Sequence, residues 1–439
     1  MNKPLPLAQW LGCSRPAQHI VAFDGAALWT QAELINDVQR IYGWLKSQPG
    51  ERWALCFDNG YLFITALLAT LHAGKTPVIP GHSREAQLRE QQTHFYGVLS
   101  DTPLELTCPV INPQNLEYAE VAPFAAIPGD AGVVLFTSGS TGEPAQIFKT
   151  VRALDEEIVW IAALWGKSVA GCRVVGSVSH QHLYGFTFRV MLPMALGLAN
   201  DARMIHFPEQ LVAHCASPLL FISSPAFLKR LDASLTAPNF KMVLSAAGKL
   251  DDDSAQNAQA WLRTPVSEIY GTTETGVLAW RQHNEASPEW QPFPAVHFTP
   301  NEEGWQVESP LIYQGRLPLD DILEFTPQGR FRLSGRRDRI VKIEEKRISL
   351  SEIERRLLAL PGIEDAAVVP VTRGNRVALG AVVVTTGQHS DKRRWREALR
   401  AWLEPIAIPR YWRIVEHIPL NSQSKRAWAQ LQELFDETR

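Results

Sequence analysis

Apolar residues recur at helical spacing behind Thr30-Gln31-Ala32-Glu33, where Leu34, Val38, Ile41 and Leu45 share one face until Pro49-Gly50 stops the run. Thr followed three positions later by Glu is a capping box, so the spacing predicts an amphipathic helix starting at Thr30. Next come a continuous apolar run from Trp53 to Phe57, a helical stretch from Tyr61 to His72 closed by Gly74, and a second short run from Thr76 to Ile79. Strand, helix and strand in that order predict a βαβ unit.

Between Pro103 and Pro128 proline is frequent and periodicity is lost, which predicts irregular connections. The pattern resumes with the strand-like Gly132-Val133-Val134-Leu135-Phe136, a partner strand over Ala145 to Lys149, and a helix capped by Thr150 that runs to about Trp165. Short strands and helices then alternate to about Tyr270, so the fold class is α/β, with helices packed on sheets.

Charged residues at Gly335-Arg336-Arg337-Asp338 separate strand-like Arg330 to Leu333 from strand-like Ile340 to Ile343. Beyond them Ser351-Glu352-Ile353-Glu354 predicts a capped helix with Ile353, Leu357 and Leu360 inward. Strands at Ala366 to Val371 and Val377 to Val384 and a helix around Trp395 to Leu403 complete a small α+β unit. The expected division is 1–336 and 337–439.

At 439 residues and 45% hydrophobic content the chain holds two or three ordinary globular domains. A net charge of -3 argues against nucleic acid or an anionic membrane as the main partner. From Arg337 onward, however, 19 Lys and Arg face 14 Asp and Glu, so the C-terminal part is basic and suited to an acidic partner. The run Lys392-Arg393-Arg394-Trp395-Arg396 also fits the solvated face of a helix. Cys13, Cys56, Cys108, Cys172 and Cys215 are scattered, with neither zinc spacing nor a disulfide framework, which suits a reducing compartment. No stretch reaches the roughly 18 apolar residues of a membrane span, so the sequence predicts a soluble, cytoplasmic protein.

Candidate chemistry begins with Thr137-Ser138-Gly139-Ser140-Thr141-Gly142, directly behind a strand. Four hydroxyls flanking glycines suit either a flexible turn or a phosphate cradle, in which backbone N–H groups approach an anion closely. The Gly-Lys-Ser/Thr of the usual P-loop does not follow. His180 and His182 form a possible metal pair by spacing alone, although no third ligand lies nearby.

Four stretches in order decide between these readings: the hydroxyl loop; Tyr270-Gly271-Thr272-Thr273-Glu274; Gly335-Arg336-Arg337-Asp338 with Val341-Lys342-Ile343; and Ile418-Pro419 through Lys425. From about Trp29 to Trp428 the chain resembles the adenylate-forming enzymes, the superfamily of acyl-CoA synthetases, peptide-synthetase adenylation domains and luciferases. The resemblance implies a large N-terminal domain of sheets packed with helices and a small mobile α+β C-terminal domain that swings about Asp338. It further implies that Thr137, Ser138, Gly139, Ser140, Thr141 and Gly142 hold the phosphates of ATP, that Glu274 holds Mg²⁺, and that Thr273 contacts the α-phosphate. Tyr270 would stack on adenine, with Ala247 and Gly248 of Ser245-Ala246-Ala247-Gly248 against its other face. Asp321 lies eight residues before Gly329, itself seven before Arg336, the spacing the superfamily uses for a ribose-binding Asp and its assisting Arg; Asp320 is the adjacent alternative. Lys425 matches the catalytic lysine. His182, in His182-Leu183-Tyr184-Gly185, matches the His-x-x-Gly stretch beside the acyl pocket.

Two positions depart from the superfamily pattern. Pro144 is followed by Ala145 rather than lysine, with Lys149 the nearest substitute, and Glu345 stands where a glycine lines the pantetheine tunnel. The expected reaction is ATP- and Mg²⁺-dependent activation of a carboxylic acid, aromatic or fatty-acid-like, to acyl-AMP, followed by transfer to the thiol of coenzyme A or an acyl carrier protein. The compact length is similar to that of ligases of bacterial fatty-acid-like and aryl-polyene synthesis. The alternatives are adenylation alone or transfer to an amine and, from another class, a catalytically weak nucleotide-binding regulatory subunit; retention of Glu274, Asp321 and Lys425 speaks against the last.

Overall fold

A computed structural model describes the chain apart from residues 1–2, 13, 118–122, 138–144, 215–216, 249, 285–288, 303, 337–338, 344–345, 374–375, 387–390, 401, 404, 422–424 and 437–439. By compactness the chain forms one unit of Met1–His297 with Glu308–Leu317, and a second of Phe298–Val307 with Pro318–Arg439. The expected hinge residue Asp338 lies outside the described residues.

Two sheets dominate the first unit. A six-stranded sheet runs in the order Val110–Ile111, Gly97–Ser100, Arg52–Cys56, Thr76–Ile79, Gly132–Thr137, Ala145–Thr150, parallel throughout except for the last pair. The expected βαβ unit is present: the helix Gly60–His72, buried at every position but Leu62, links the parallel neighbours Arg52–Cys56 and Thr76–Ile79. Strands buried on both faces need no alternation, and Ala54, Leu55, Val78, Ile79, Val133 and Leu135 are all buried.

The nine-stranded sheet has a parallel centre, Val266–Thr272, Phe240–Ser245, Leu219–Ser223, Arg173–Gly176, Asn200–Asp201 and Ile20–Asp24 in spatial order, with antiparallel strands at both edges. Phe221, Phe227, Phe240 and Trp261 form a contiguous aromatic cluster on one of its faces.

Local signals decide where the helices start. Thr30 makes the reciprocal capping box with Glu33, and Leu34, Val38, Ile41 and Leu45 are buried in the helix Gln31–Ser47. Thr150 Oγ1 accepts from Ala153 N at the start of Val151–Trp165. The expected cap at Ser351 is corrected: the helix is Leu350–Leu358, and Ser349 Oγ accepts from Glu352 N. Glu352 turns instead to Arg355 and Arg356, so a carboxylate with two basic neighbours on its own helix does not reach back to close a box.

In the second unit the long antiparallel pair Ile363–Arg373 and Arg376–Thr385, with Tyr411–Ile414 parallel to the latter, carries helices on both faces. Helix Lys392–Leu399 buries Trp395 and exposes the basic residues around it, so that run is a helix face, as one of its two readings held. Among the described residues no helix is long and apolar enough to cross a membrane.

Phe221→Ala removes the centre of the aromatic cluster. We expect a loss of about 3–5 kcal/mol, read as a lower urea midpoint with an unchanged slope.

Candidate active site

Ligands of open parallel sheets sit beyond the C-terminal ends of the strands. In the first unit the two sheets are joined there. Phe57, just past Arg52–Cys56, accepts hydrogen bonds at its carbonyl from His180 Nε2 (2.9 Å) and Gln181 Nε2 (3.0 Å). His180 is buried, and desolvation, reinforced by the Arg189 charge, lowers its pKa to about 3, so its ring is neutral. This corrects the metal-pair reading: the His180 Nε2 proton already points at a carbonyl, and among the described residues no group of three potential ligands gathers.

His182 follows at the N-terminal boundary of the short helix Leu183–Phe186, its ring against Gly81, whose φ of +86° no other residue adopts readily. A Cβ on Gly185 would overlap the Ser179 carbonyl, which explains the glycine of His-x-x-Gly in steric terms. Arg189, wholly buried in the π-helical turn Thr187–Met191, donates to the carbonyls of Val178 (2.7 Å), Asp201 (3.1 Å) and Arg203 (2.7 Å). The segment entering His182 is thereby fixed from below.

Thr137 ends the strand Gly132–Thr137 and pairs with Ala145, so the hydroxyl loop is the connection between two antiparallel strands. Ser138, Gly139, Ser140, Thr141 and Gly142 themselves lie outside the described residues. Ala247, just past Phe240–Ser245, adopts φ +70°, a left-handed conformation costly for a side-chain-bearing residue, and Gly248 follows it exposed. Tyr270 is buried with its ring 5.7 Å from Trp290; Arg281 caps Trp290 at 4.6 Å and pairs with the buried carboxylate of Glu268.

The Tyr270-to-Glu274 motif turns a hairpin between Val266–Thr272 and Gly276–Gln282. Thr272 N donates to Thr275 Oγ1 (3.0 Å), and Gly276, at φ +73°, closes the turn in the way of a three-residue hairpin loop. Lys149 reaches into this turn from the six-stranded sheet. It is only 3% exposed and donates from Nζ to the carbonyls of Glu274 (2.9 Å) and Leu311 (3.1 Å). Lys149 is therefore not the substitute for a lysine after Pro144, because its ammonium is spent on backbone carbonyls. Burial lowers its pKa to about 8, opposed by the charges of Glu157 and Glu274. Glu157, fully buried on Val151–Trp165, accepts from Val277 N (2.8 Å) and Thr187 Oγ1 (2.8 Å), and burial raises its pKa.

In the second unit the antiparallel strands Asp321–Phe325 and Phe331–Arg336 place Asp321 directly opposite Arg336, and Gly329, at φ +75°, lies in the turn between them. Asp320 is exposed and precedes the strand. Lys425 is exposed on a loop closed by Asn421, whose side chain accepts from Lys425 N (2.9 Å) and whose N donates to the Lys425 carbonyl (2.7 Å). The next residue, Arg426, bonds Asp365 (2.7 Å) and the Ala366 carbonyl and lies 3.8 Å from Glu354, which also pairs with Arg339.

Glu274 is a single half-buried acid on a turn in which its own carbonyl is already taken by Lys149. That suits Mg²⁺ held jointly with nucleotide phosphates rather than a cage built by protein alone. The buried charges Glu157, Arg189 and Glu354 were missed from sequence. For Glu157 the signal was present: it shares the inward face with Leu154, Ile158 and Ile161.

Because His180 is neutral in the fold and ordinary when unfolded, the unfolded chain binds the extra proton between pH 6.5 and 3. Stability should then fall on acidification by up to about 1.4 kcal/mol per pH unit from this group. Urea titrations at pH 7, 6 and 5 should show a shallower decline for His180→Gln, which keeps a donor for Phe57; parallel declines would reject the assignment.

The AMP-binding enzyme family model matches residues 12–299, and the AMP-binding enzyme C-terminal domain model matches residues 352–425. The chain is 27% identical over 300 residues to a 4-coumarate–CoA ligase of Rhodobacter capsulatus, covering 68% of this chain and 76% of that one. To a 4-chlorobenzoate–CoA ligase of an Arthrobacter species it is 24% identical over 346 residues, covering 68% and 65%. Among solved structures, ATP-bound MatB from Rhodopseudomonas palustris shares the fold with a TM-score of 0.84 at 18% identity, covering 99% of each chain. The o-succinylbenzoate CoA synthetase MenE of Bacillus subtilis, with its acyl-adenylate intermediate, does so with a TM-score of 0.82 at 17% identity, covering 99% and 98%. With both models matched in order over most of its length, the chain belongs to the family of AMP-binding enzymes.

Proposed function

We propose that the protein activates a carboxylic acid with ATP and passes the acyl group to a pantetheine thiol. In the first step a carboxylate oxygen attacks the α-phosphorus of ATP, the bond to pyrophosphate breaks, and acyl-AMP forms. In the second the thiol sulfur attacks the acyl carbon and AMP leaves with the bonding electrons. Both steps bring anions together, so donors and positive charge must be held where charge develops.

The residues divide that work. Thr137 and the hydroxyl loop Ser138 to Gly142 receive the phosphates, Thr273 faces the α-phosphate, Tyr270, Ala247 and Gly248 enclose adenine, and Asp321 with Arg336 takes the ribose hydroxyls. Glu274 would hold Mg²⁺, which neutralises phosphate charge when bound. Lys425 bridges the substrate carboxylate and the α-phosphate, and His182 stands at the acyl side. The small domain turns about Asp338 between the two steps.

The observation that supports this reading is the hairpin turn: just past the C-terminal end of the parallel strand Val266–Thr272 the Glu274 carbonyl is held by the buried Lys149, and the residue itself stays half-buried there. Relatives named as 4-coumarate– and 4-chlorobenzoate–CoA ligases support an aromatic acid and coenzyme A; the basic C-terminal segment supports an acyl carrier protein as the alternative acceptor. Glu345, in place of the tunnel glycine, counts with that basic segment toward the carrier; transfer to an amine is the other reading.

Acid-dependent exchange of pyrophosphate into ATP should appear with at least one member of a panel of aromatic and fatty acids and fall about 10²–10³-fold in Lys425→Ala; no exchange with any acid rejects the proposal. With the best acid, mass spectrometry should find the thioester of coenzyme A or of holo acyl carrier protein. An amide in the presence of amines, with no thioester, establishes the other reading.

A further inference from the structure

Lys149 and Glu157 stand out among the buried ionisable groups. They lie within nine residues of each other, on the strand and helix that directly follow the hydroxyl loop, and both end on the backbone of the Glu274 turn. Lys149 holds the carbonyl of Glu274 and Glu157 holds the N–H of Val277, so the turn is gripped on both sides of Gly276. Gly276 has no room for a side chain: a Cβ there would come within 2.7 Å of Glu157 Oε1 and 3.1 Å of Leu311. Leu311, whose carbonyl takes the second Lys149 proton, closes the remaining side.

A buried ammonium and a buried carboxylate are a costly way to hold a hairpin that its own ladder already forms, and apolar residues of similar volume are often no less stable. What charged groups add is direction. Hydrogen bonds to charged groups are short and strong, so they fix which way the Glu274 peptide faces. The half-buried side chain of Glu274 leaves the turn from the peptide that Lys149 holds in this way.

We propose that Lys149 and Glu157 are positioning residues that fix the orientation of the Glu274 carboxylate for a divalent cation carried by the nucleotide. This rests on the assignment of Glu274 as the residue that holds Mg²⁺. Neither residue touches nucleotide; each acts through the backbone of the turn. The arrangement also joins the hydroxyl loop to the Glu274 turn by way of one short strand and one helix.

The test is calorimetric binding of ATP to the full-length protein, with Mg²⁺ and in EDTA, together with the Mg²⁺ dependence of pyrophosphate exchange. In Lys149→Met we expect at least a ten-fold loss of ATP affinity and a ten-fold higher Mg²⁺ midpoint with the metal, affinity in EDTA within two-fold of wild type, and substantial recovery in Lys149→Arg. Wild-type Mg²⁺ dependence in a folded Lys149→Met, or an equal loss with and without metal, overturns the proposal. If Lys149→Met does not fold, Glu157→Gln decides: it keeps an acceptor for Val277 N, and a three-fold or larger rise in the Mg²⁺ midpoint supports positioning, whereas a wild-type midpoint overturns it. Glu274→Gln separates the two assignments. If its metal dependence is that of wild type, the role of Glu274 fails, whatever the Lys149 variants do.

Discussion

A charged group taken out of water must be met by polar partners or be neutralised, and the site of this protein is arranged around two that are met by backbone. The Lys149 ammonium and the Glu157 carboxylate are not in direct contact with each other; each is satisfied by a turn or side chain of another element. Moving those polar partners away would leave an ion unmet in a low-dielectric interior, at a cost of several kcal/mol. The two sheets, the helix Val151–Trp165 and the Glu274 hairpin therefore depend on one another through groups that are themselves buried.

The C-terminal unit uses the same device on a smaller scale. Glu354 is largely buried and is held by Arg339, Arg426 and the N–H of Val368 (2.7 Å). Desolvation raises its pKa while the two guanidiniums oppose that rise. Arg339 also lies 3.7 Å over Trp428. Arg339 follows Asp338 and Arg426 follows Lys425, so one carboxylate ties the residue after the proposed hinge to the residue after the proposed catalytic lysine. The lysine loop and the hinge end of this unit are thereby parts of one body.

Much of this fold is legible in the sequence wherever the information is local. Capping at Thr30 and Thr150, the βαβ unit around Gly60–His72 and the strand pair flanking the hydroxyl loop follow from side-chain periodicity and from short-range hydrogen bonds. The misplaced cap at Ser351 shows where such reasoning fails, because two Ser residues in Ser349-Leu350-Ser351 offer equal local chemistry and burial of Leu350 decides between them. Candidate site residues were legible as motif members, but the reasons for their placement were not. Lys149 looks like an exposed strand residue until the Glu274 and Leu311 carbonyls, far along the chain, arrive beside it. His180 looks like half of a metal pair until its ring N–H is seen donating to the Phe57 carbonyl.

The pairing of Asp321 with Arg336 across a hairpin also makes the spacing between them a ruler. Side chains alternate along a strand, so inserting one residue within Asp321–Phe325 or within Phe331–Arg336 shifts one end of the pair by a face, whereas lengthening the turn around Gly329 leaves the register of both strands as it is. Drift in length is therefore tolerated at the tip of this ribbon and penalised along its rails. The alternation of faces thereby fixes the count of residues along each rail and leaves the tip as the place where the ribbon can grow.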